Sequence, residues 1–346
     1  MTMATIDESD SPTARDAVEE PGEEPAEIEA RVGWRYTFSQ IRSDPTAMTG
    51  LAIIAAVTAM ATFATIDSVL FEFLAGYRLF AQFGVEKYWI AKTVWVSPVS
   101  ESAATPRLLP PVGFENQFGA GSWAHPLGTD DRGRDILLRL VYGSRIAVTV
   151  GLSATVVGFA SGTVVGAVSG YYGDWVDDVL MRAAETLFAI PFLVLVLAFI
   201  AVFGRSLTFI VFGVGIASIP TFARLIRSRV VSIREEDYIE AAQAAGVRDR
   251  DIIFRHVIPN SFTPVLVQAT LQVGTAILIV AGLSFLGFGV QPPTPSWGQM
   301  LAVSRNYMIP NPWFSVWPGL AILVTVVGFN IFGDGLRDAL DPRFNN

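Results

Sequence analysis

The sequence predicts an all-α membrane protein that crosses the bilayer six times, and three observations carry that prediction. Of its 346 residues 51% are hydrophobic and only 16% charged, against about 25% charged in an ordinary soluble domain. The apolar residues gather into six stretches, most near the ~20 residues with which a helix covers ~30 Å of hydrocarbon. Between the fourth and fifth stretches lies a polar island, residues 235–260, too short and too charged to cross a bilayer.

Taken in order, the chain opens with an acidic tail. Residues 1–30 hold ten Asp and Glu against one Arg, so the formal net charge of -8 belongs to this segment and the remainder is near neutral. Rich in Glu, Asp, Pro, Ser and Ala, the tail lacks the apolar surface to offset the entropy of ordering and is expected to be disordered. It also lacks the basic start of a signal peptide. From Arg31 to Asp44 the chain mixes Trp34, Tyr36 and Phe38 with Arg31, Arg35 and Arg42, as an interfacial segment leading into a membrane does. The first span is Ala47 to Ile66, which closes the unit 31–66.

Residues 67–139 are expected to form a long polar connection. Its most apolar piece, Val69 to Val96, is interrupted by Glu72, Arg78, Glu86, Lys87 and Lys92, too many charges for a span. The remaining five spans fall in a core unit, 140–336. Ile146 to Ser169 carries Gly158, Gly162, Gly166 and Gly170 at every fourth position, a ridge that lets another helix approach backbone to backbone. The sequence leaves open whether that helix belongs to this chain or to a moving or intersubunit seam. Ala183 to Phe203 is the third span, with Pro191 as an expected kink. Leu207 to Ala223 is the fourth, with Pro220 near its end. Val265 to Leu286 is the fifth, bearing Gln268 and Gln272 on one face. Trp313 to Phe332 is the sixth, with Pro318 and Asn330, and residues 337–346 close the chain.

The polar island, within the loop 224–260, reads as two short helices with a hinge. Tyr238, Ala241, Ala242 and Ala245 recur at i, i+3, i+4 and i+7 and so share a face. Gly246 ends that helix, since glycine tolerates the left-handed conformation of a C-cap. Asp249 is expected to cap a second helix through Ile252, Ile253 and His256, and Pro259 permits a new helix to start. Such a hairpin has the character of a docking element. Its loop holds Arg224, Arg227, Arg229, Arg234, Arg248, Arg250 and Arg255, so the positive-inside rule places it in the cytoplasm, with both termini on the same side and 67–139 outside.

If such a chain moves a solute, it must couple to an energy source. Only two lysines exist, and the one followed by Thr, Lys92, has Glu86 and Ala91 where a phosphate-cradling loop needs glycines, so this chain is not expected to hydrolyse ATP through a P-loop. An ion gradient would need ionisable groups deep in the spans. Glu185 sits one turn into the third span with Arg182 at i-3, an expected local ion pair. Gln268, Gln272 and Asn330 are uncharged and are expected to make interhelical hydrogen bonds in preference to contacting a substrate. Cysteine is absent, which excludes thiolate sites. The two histidines, His125 and His256, fall on opposite sides of the membrane, His256 as a solvated or capping residue. No metal cluster or nucleophile-base pair is apparent, so neither a catalytic site nor a metal site is expected.

Five motifs in order carry a family resemblance. Glu240-Ala-Ala-x-x-x-Gly246 followed after nine residues by His256-Val-Ile-Pro259 resembles the cytoplasmic EAA loop of binding-protein-dependent ATP-binding-cassette importers. His125-Pro-Leu-Gly-Thr-Asp-Asp-Arg-Gly-Arg-Asp135, Gly170-Tyr-Tyr-Gly-Asp-Trp-Val-Asp177 with Met181-Arg182, Ser284-Phe-Leu-Gly-Phe-Gly-Val-Gln-Pro-Pro-Thr-Pro-Ser-Trp-Gly298 and Gly333-Asp-Gly-Leu-Arg-Asp-Ala-Leu-Asp-Pro-Arg343 are similar to the C-type permease subunit of the dipeptide, oligopeptide and nickel branch. The resemblance covers roughly residues 40–343. It implies a half-channel that pairs with a second, homologous permease subunit in the cell membrane, takes substrate from an external solute-binding protein, and rests on two ATPase subunits that bind ATP and Mg, with no cofactor in this chain itself. The hairpin is then the coupling element, with Glu240, Ala241, Ala242, Ala245, Gly246, His256 and Pro259 at the ATPase, and with Pro191, Pro220 and the glycine ridge as places of bending and sliding. The cargo stays open among dipeptides, longer peptides, nickel chelates and oligosaccharides. The segment 67–123 is longer than the family pattern and matches no motif in it. The competing expectation is an ion-coupled carrier or channel that acts without an ATPase.

Overall fold

The computed structural model describes residues 34–77, 86–99 and 105–340; the acidic segment 1–30, Ser100 to Ala104 and the last six residues lie outside them. Twelve helical elements follow in order among the described residues: α1 Trp34–Ser43, α2 Pro45–Ala75, α3 Trp89–Val94, α4 Ile136–Tyr172, α5 Asp174–Ala189, α6 Phe192–Phe203, α7 Leu207–Arg234, α8 Asp237–Ala244, α9, α10 Phe262–Phe285, α11 Trp297–Ser304 and α12 Trp313–Leu340. Helix α9 starts with Asp249–Ile252, widens into a π turn at Ile253–Val257 and ends with Ile258–Asn260. The strands are a two-residue pair, β1 Glu115–Asn116 against β2 Gly119–Ala120. Among the described residues five helices, α2, α4, α7, α10 and α12, are long and apolar enough to cross a membrane, and α5 with α6, bent by 90°, makes six if the pair is one span.

The longest contact is α4 along α7, and its register gives their direction. A Cβ added to Gly158 would lie 2.8 Å from Ser218 Cβ, at Gly162 2.5 Å from Phe222 Cβ, at Gly166 2.9 Å from Ile226 Cβ and at Gly170 2.9 Å from Val230 Cβ. Both partners advance together, so the two helices run parallel. The chain between them must therefore return the length of α4, and α5 with α6 makes that return. The expected third span is corrected here: it is two helices meeting at 90°, not one kinked helix. Pro191 is the N-cap of α6 at φ -51 and ψ 125, outside helical geometry. A proline also disfavours helical backbone in the residue before it, and Ile190 is extended at ψ 124. Pro220, by contrast, is buried inside an unbroken α7.

Helix α2 packs on α12 through Gly50, Gly328 and Gly335, where a Cβ would come within 2.7 Å of Phe332 N, 2.5 Å of Ile53 Cγ2 and 2.4 Å of Ala47 Cβ. Ile41, Ala47, Val267 and Leu336 cluster at one end. The start of α2, the start of α10 and the end of α12 thus lie together, on the side where α8 and α9 sit.

At the opposite end the first helix does not stop at Ile66. It turns through a π segment at Ile66–Leu70 and continues to Ala75. Asp67 does not end it because the carboxylate is fully buried and satisfied: it accepts from Ile90 N at 2.7 Å, Ala91 N at 3.2 Å and the Tyr142 hydroxyl. The same contacts pin α3 against α2 and α4. Helix α4 likewise begins ten residues before the expected Ile146, capped by Asp135, which accepts from Leu138 N at 2.9 Å.

Residues 105–135 are an ordered cap over this end. Leu108 N donates to Asp130 O at 3.0 Å and Asn311 Nδ2 to Leu108 O at 3.1 Å. The His125 to Asp135 motif is buried in it. Asp130 holds Arg134 at 2.6 Å, His125 Nδ1 lies 2.8 Å from Asp135, and Arg139 donates to Pro98 O at 3.2 Å and Gln299 Oε1 at 3.1 Å. Burial pushes the Asp135 carboxyl above the usual carboxylate range, and burial beside the Asp130 charge does the same to Asp131.

Candidate functional site

The polar island is a hairpin bolted to the helical body by its inner face. Ile239, Ile252 and Val257 are fully buried among Tyr171, Phe222, Ile226, Val230 and Val265. Ile239 is the inward side chain of α8, and Ala242, three residues on, packs partly beside it. Tyr238, Glu240, Ala241, Ala244 and Ala245 face outward and are exposed. The expected single face is therefore divided: Tyr238, Ala241 and Ala245 point out while Ala242 turns toward the core, because burying Ile239 sets the rotation of the helix.

Gly246 lies between α8 and α9 at φ +75, with Gly246 N donating to Gln243 O at 2.9 Å and Val247 N to Ala242 O at 3.1 Å. This is the paired C-terminal cap in which glycine avoids the penalty of a left-handed residue. Asp249 does not cap α9 as expected. Arg248 occupies the N-cap position without a side-chain bond, and the Asp249 carboxylate accepts from the Tyr171 hydroxyl at 2.9 Å. Gln243 Nε2 donates to that hydroxyl at 3.2 Å. One phenol at the end of α4 thus joins both helices of the hairpin. On the outer side Asn260 Nδ2 donates to the Tyr238 hydroxyl at 3.0 Å, and the half-buried His256 ring stands 6.5 Å from the Tyr238 ring. Pro259 is exposed in the last turn of α9.

The adjoining motif forms the base of the hairpin. Arg227 on α7 donates its Nε to Asp177 at 2.6 Å and a second guanidinium nitrogen to the other carboxylate oxygen, while the Ser169 hydroxyl donates to the same aspartate. Such a forked pair fixes orientation as well as distance. It locks the ends of α4 and α7 to the start of α5, so α4, α5, α7, α8 and α9 share one junction. Ile239, Tyr171, Asp177 and Arg227 are the parts that sequence reasoning missed. The available signals were the lone isoleucine among the alanines of α8 and the place of Tyr171 and Asp177 inside a motif.

The other singled-out residues fall elsewhere. The four ridge glycines pack within this chain, against α7. Glu185 is exposed, and neither it nor Arg182 takes part in an ion pair among the described residues, so the expected pair at i-3 is not formed. Gln268 and Gln272 on α10 are half-buried and Asn330 on α12 is exposed; none of their side chains hydrogen-bonds to another described residue, so the expected interhelical bonds are not formed within this chain.

The family model described as the binding-protein-dependent transport system inner membrane component matches residues 162–346. The dipeptide transport system permease protein DppC of Alkalihalophilus pseudofirmus is 39% identical over 313 residues, 90% of this chain and 91% of that protein. The glutathione transport system permease protein GsiD of Pectobacterium atrosepticum is 43% identical over 225 residues, 65% of this chain and 75% of that protein. Its Escherichia coli counterpart is 41% identical over 230 residues, 66% of this chain and 76% of that protein.

Proposed function

Because this chain belongs to the family of inner-membrane components of binding-protein-dependent transport systems, we propose that it is one permease half of an ATP-driven peptide importer, with α8 and α9 as the element through which ATPase subunits move it. The observation that carries this reading is the two-sided hairpin. Its outer face presents Tyr238, Ala241, Ala244 and Ala245 with Glu240, small side chains that let another surface approach closely. Its inner face is tied to the helices that would have to move.

The mechanism follows from those ties. A push on α8 has no slack to dissipate in, because Ile239 fills a core position and Tyr171 holds both hairpin helices to α4. It reaches α5 and α7 through Asp177 and Arg227. The glycine ridge keeps α4 and α7 in backbone contact, so the pair moves as one rigid unit and the 90° corner at Pro191 is the place for relative motion. The energy comes from outside the chain: ATP and Mg belong to two partner ATPases, a second permease completes the path, and an external binding protein delivers cargo. Arginine in the 224–260 loop supports a cytoplasmic hairpin by the positive-inside rule, and the start of α2 and the end of α12 lie on the hairpin's side. A peptide cargo is supported by the relatives named for dipeptide and glutathione transport. Membership of this family, whose members act with a binding protein, disfavours an ion-coupled carrier acting alone.

The test is Glu240→Arg and Gly246→Asp in the assembled transporter. Both variants are expected to reach the membrane with uptake abolished and ATP hydrolysis no longer stimulated by loaded binding protein. Normal uptake in both refutes the assignment.

A further inference from the structure

We infer that Gln268 and Gln272, one turn apart on α10, form an uncharged polar stripe within the membrane that hydrogen-bonds the backbone of a peptide in transit, whatever its side chains. The inference rests on the reading of this chain as half of a peptide importer, and it adds what the path recognises.

The stripe is defined by what α10 buries. Val265, Val273, Ala276, Ile277 and Val280 pack against the rest of the chain. Gln268, Gln272 and Thr275 fall within about 60° of one another on the remaining face. That face stays open farther along: a Cβ added to Gly282 meets no atom within 4 Å. Asn330 on α12 meets α10 on another side: its Oδ1 is 3.4 Å from where a Cβ of Gly274 would stand, and Gly274 is about 120–160° round the helix from Gln268 and Gln272. Counted from the ends of α10, Gln272 sits near the middle of the span and Gln268 one turn nearer its start.

Chemistry decides what such a face meets. Each carboxamide carries two N–H donors and an acceptor oxygen, and an unpaired amide in an apolar medium costs roughly 2–7 kcal/mol. Two amides whose side chains have no partner among the described residues therefore do not belong against lipid. Thr275 differs, since its hydroxyl donates to Leu271 O at 3.2 Å. An amide offers donor and acceptor together, as a peptide bond does, and is indifferent to the charge of the cargo's side chains. The spacing also fits: Gln268 and Gln272 are ~6 Å apart along the helix, close to the ~6.6 Å between same-side residues of an extended peptide.

The experiment uses the whole transporter, both permeases and both ATPases, reconstituted in liposomes with its binding protein and a labelled tripeptide. The double variant Gln268→Leu/Gln272→Leu is expected to retain the second permease on purification and to keep ATP hydrolysis stimulated by loaded binding protein, while uptake falls at least tenfold. Gln268→Asn/Gln272→Asn, which keeps the amides, should recover most of the uptake. Unchanged uptake in the leucine variant overturns the inference. So does loss of the second permease, which would make the stripe a subunit contact. Failure of the unmutated assembly to import any peptide overturns the importer reading itself, and that control separates the two failures.

Discussion

Gly166 shows how little freedom a single position has. A methyl group there would sit 2.3 Å from the carbonyl oxygen of Ala223, and a backbone atom cannot swing aside as a side chain can. Gly166→Ala should therefore force α4 and α7 apart and cost about 1–3 kcal/mol, seen as a lower thermal midpoint in detergent, whereas Gly282→Ala should be neutral. Asp131 gives a pH-dependent counterpart. Its carboxyl is raised by burial and by the neighbouring Asp130 charge, and its Oδ1 is buried without a hydrogen bond. A carboxyl raised on folding favours the fold at low pH and loses that contribution as pH rises through its folded value. Asp131→Asn should thus raise the thermal midpoint at pH 7, with the gain shrinking toward pH 4, where the wild-type carboxyl is neutral too. The glycine positions were legible as a period of four. The raised aspartate was not, because burial is a property of the fold.

At the scale of elements, the hairpin works because each short helix borrows stability from the body. Helix α8 has eight residues, too few to hold together alone in water. The Tyr171 hydroxyl between Gln243 and Asp249 is the contact that turns two short helices into one lever. Tyr171→Phe should remove about 1 kcal/mol without emptying the core. The expected phenotype is an assembled transporter with fewer peptides imported per ATP hydrolysed, measured as uptake and phosphate release on the same vesicles. Element type was readable here because glycine and proline punctuate the chain. The direction of each face was not, since Ala242 and Ala241 are the same residue and only the burial of Ile239 tells them apart. The third span was legible in place but not in shape: Pro191 marks the break, while hydropathy counts apolar residues and is blind to a corner of 90° there.

For the whole molecule, the parallel run of α4 and α7 requires the α5 and α6 return, and the hairpin shares a side with the ends of α1 and α12. In this cysteine-free chain, Ser232→Cys should resist an impermeant thiol reagent added to intact cells, while Gln117→Cys should react. The reverse pattern would invert the topology. The ordered cap of residues 105–135 closes the opposite end through Asp130, Arg134 and Arg139, charges that lie in the expected polar connection and are buried in the fold.

The sequence by itself determined the class of protein, the approximate spans, the polar hairpin and its glycine hinge, since hydropathy, punctuation and motif spacing are local properties of the chain. Only the tertiary structure decided which partner the glycine ridge meets, which face of α8 is free, how Tyr171, Asp177 and Arg227 converge, and that Gln268, Gln272 and Asn330 are left unpaired. Those are facts about residues far apart in the chain, and they arise only when long-range packing assigns each side chain its neighbours.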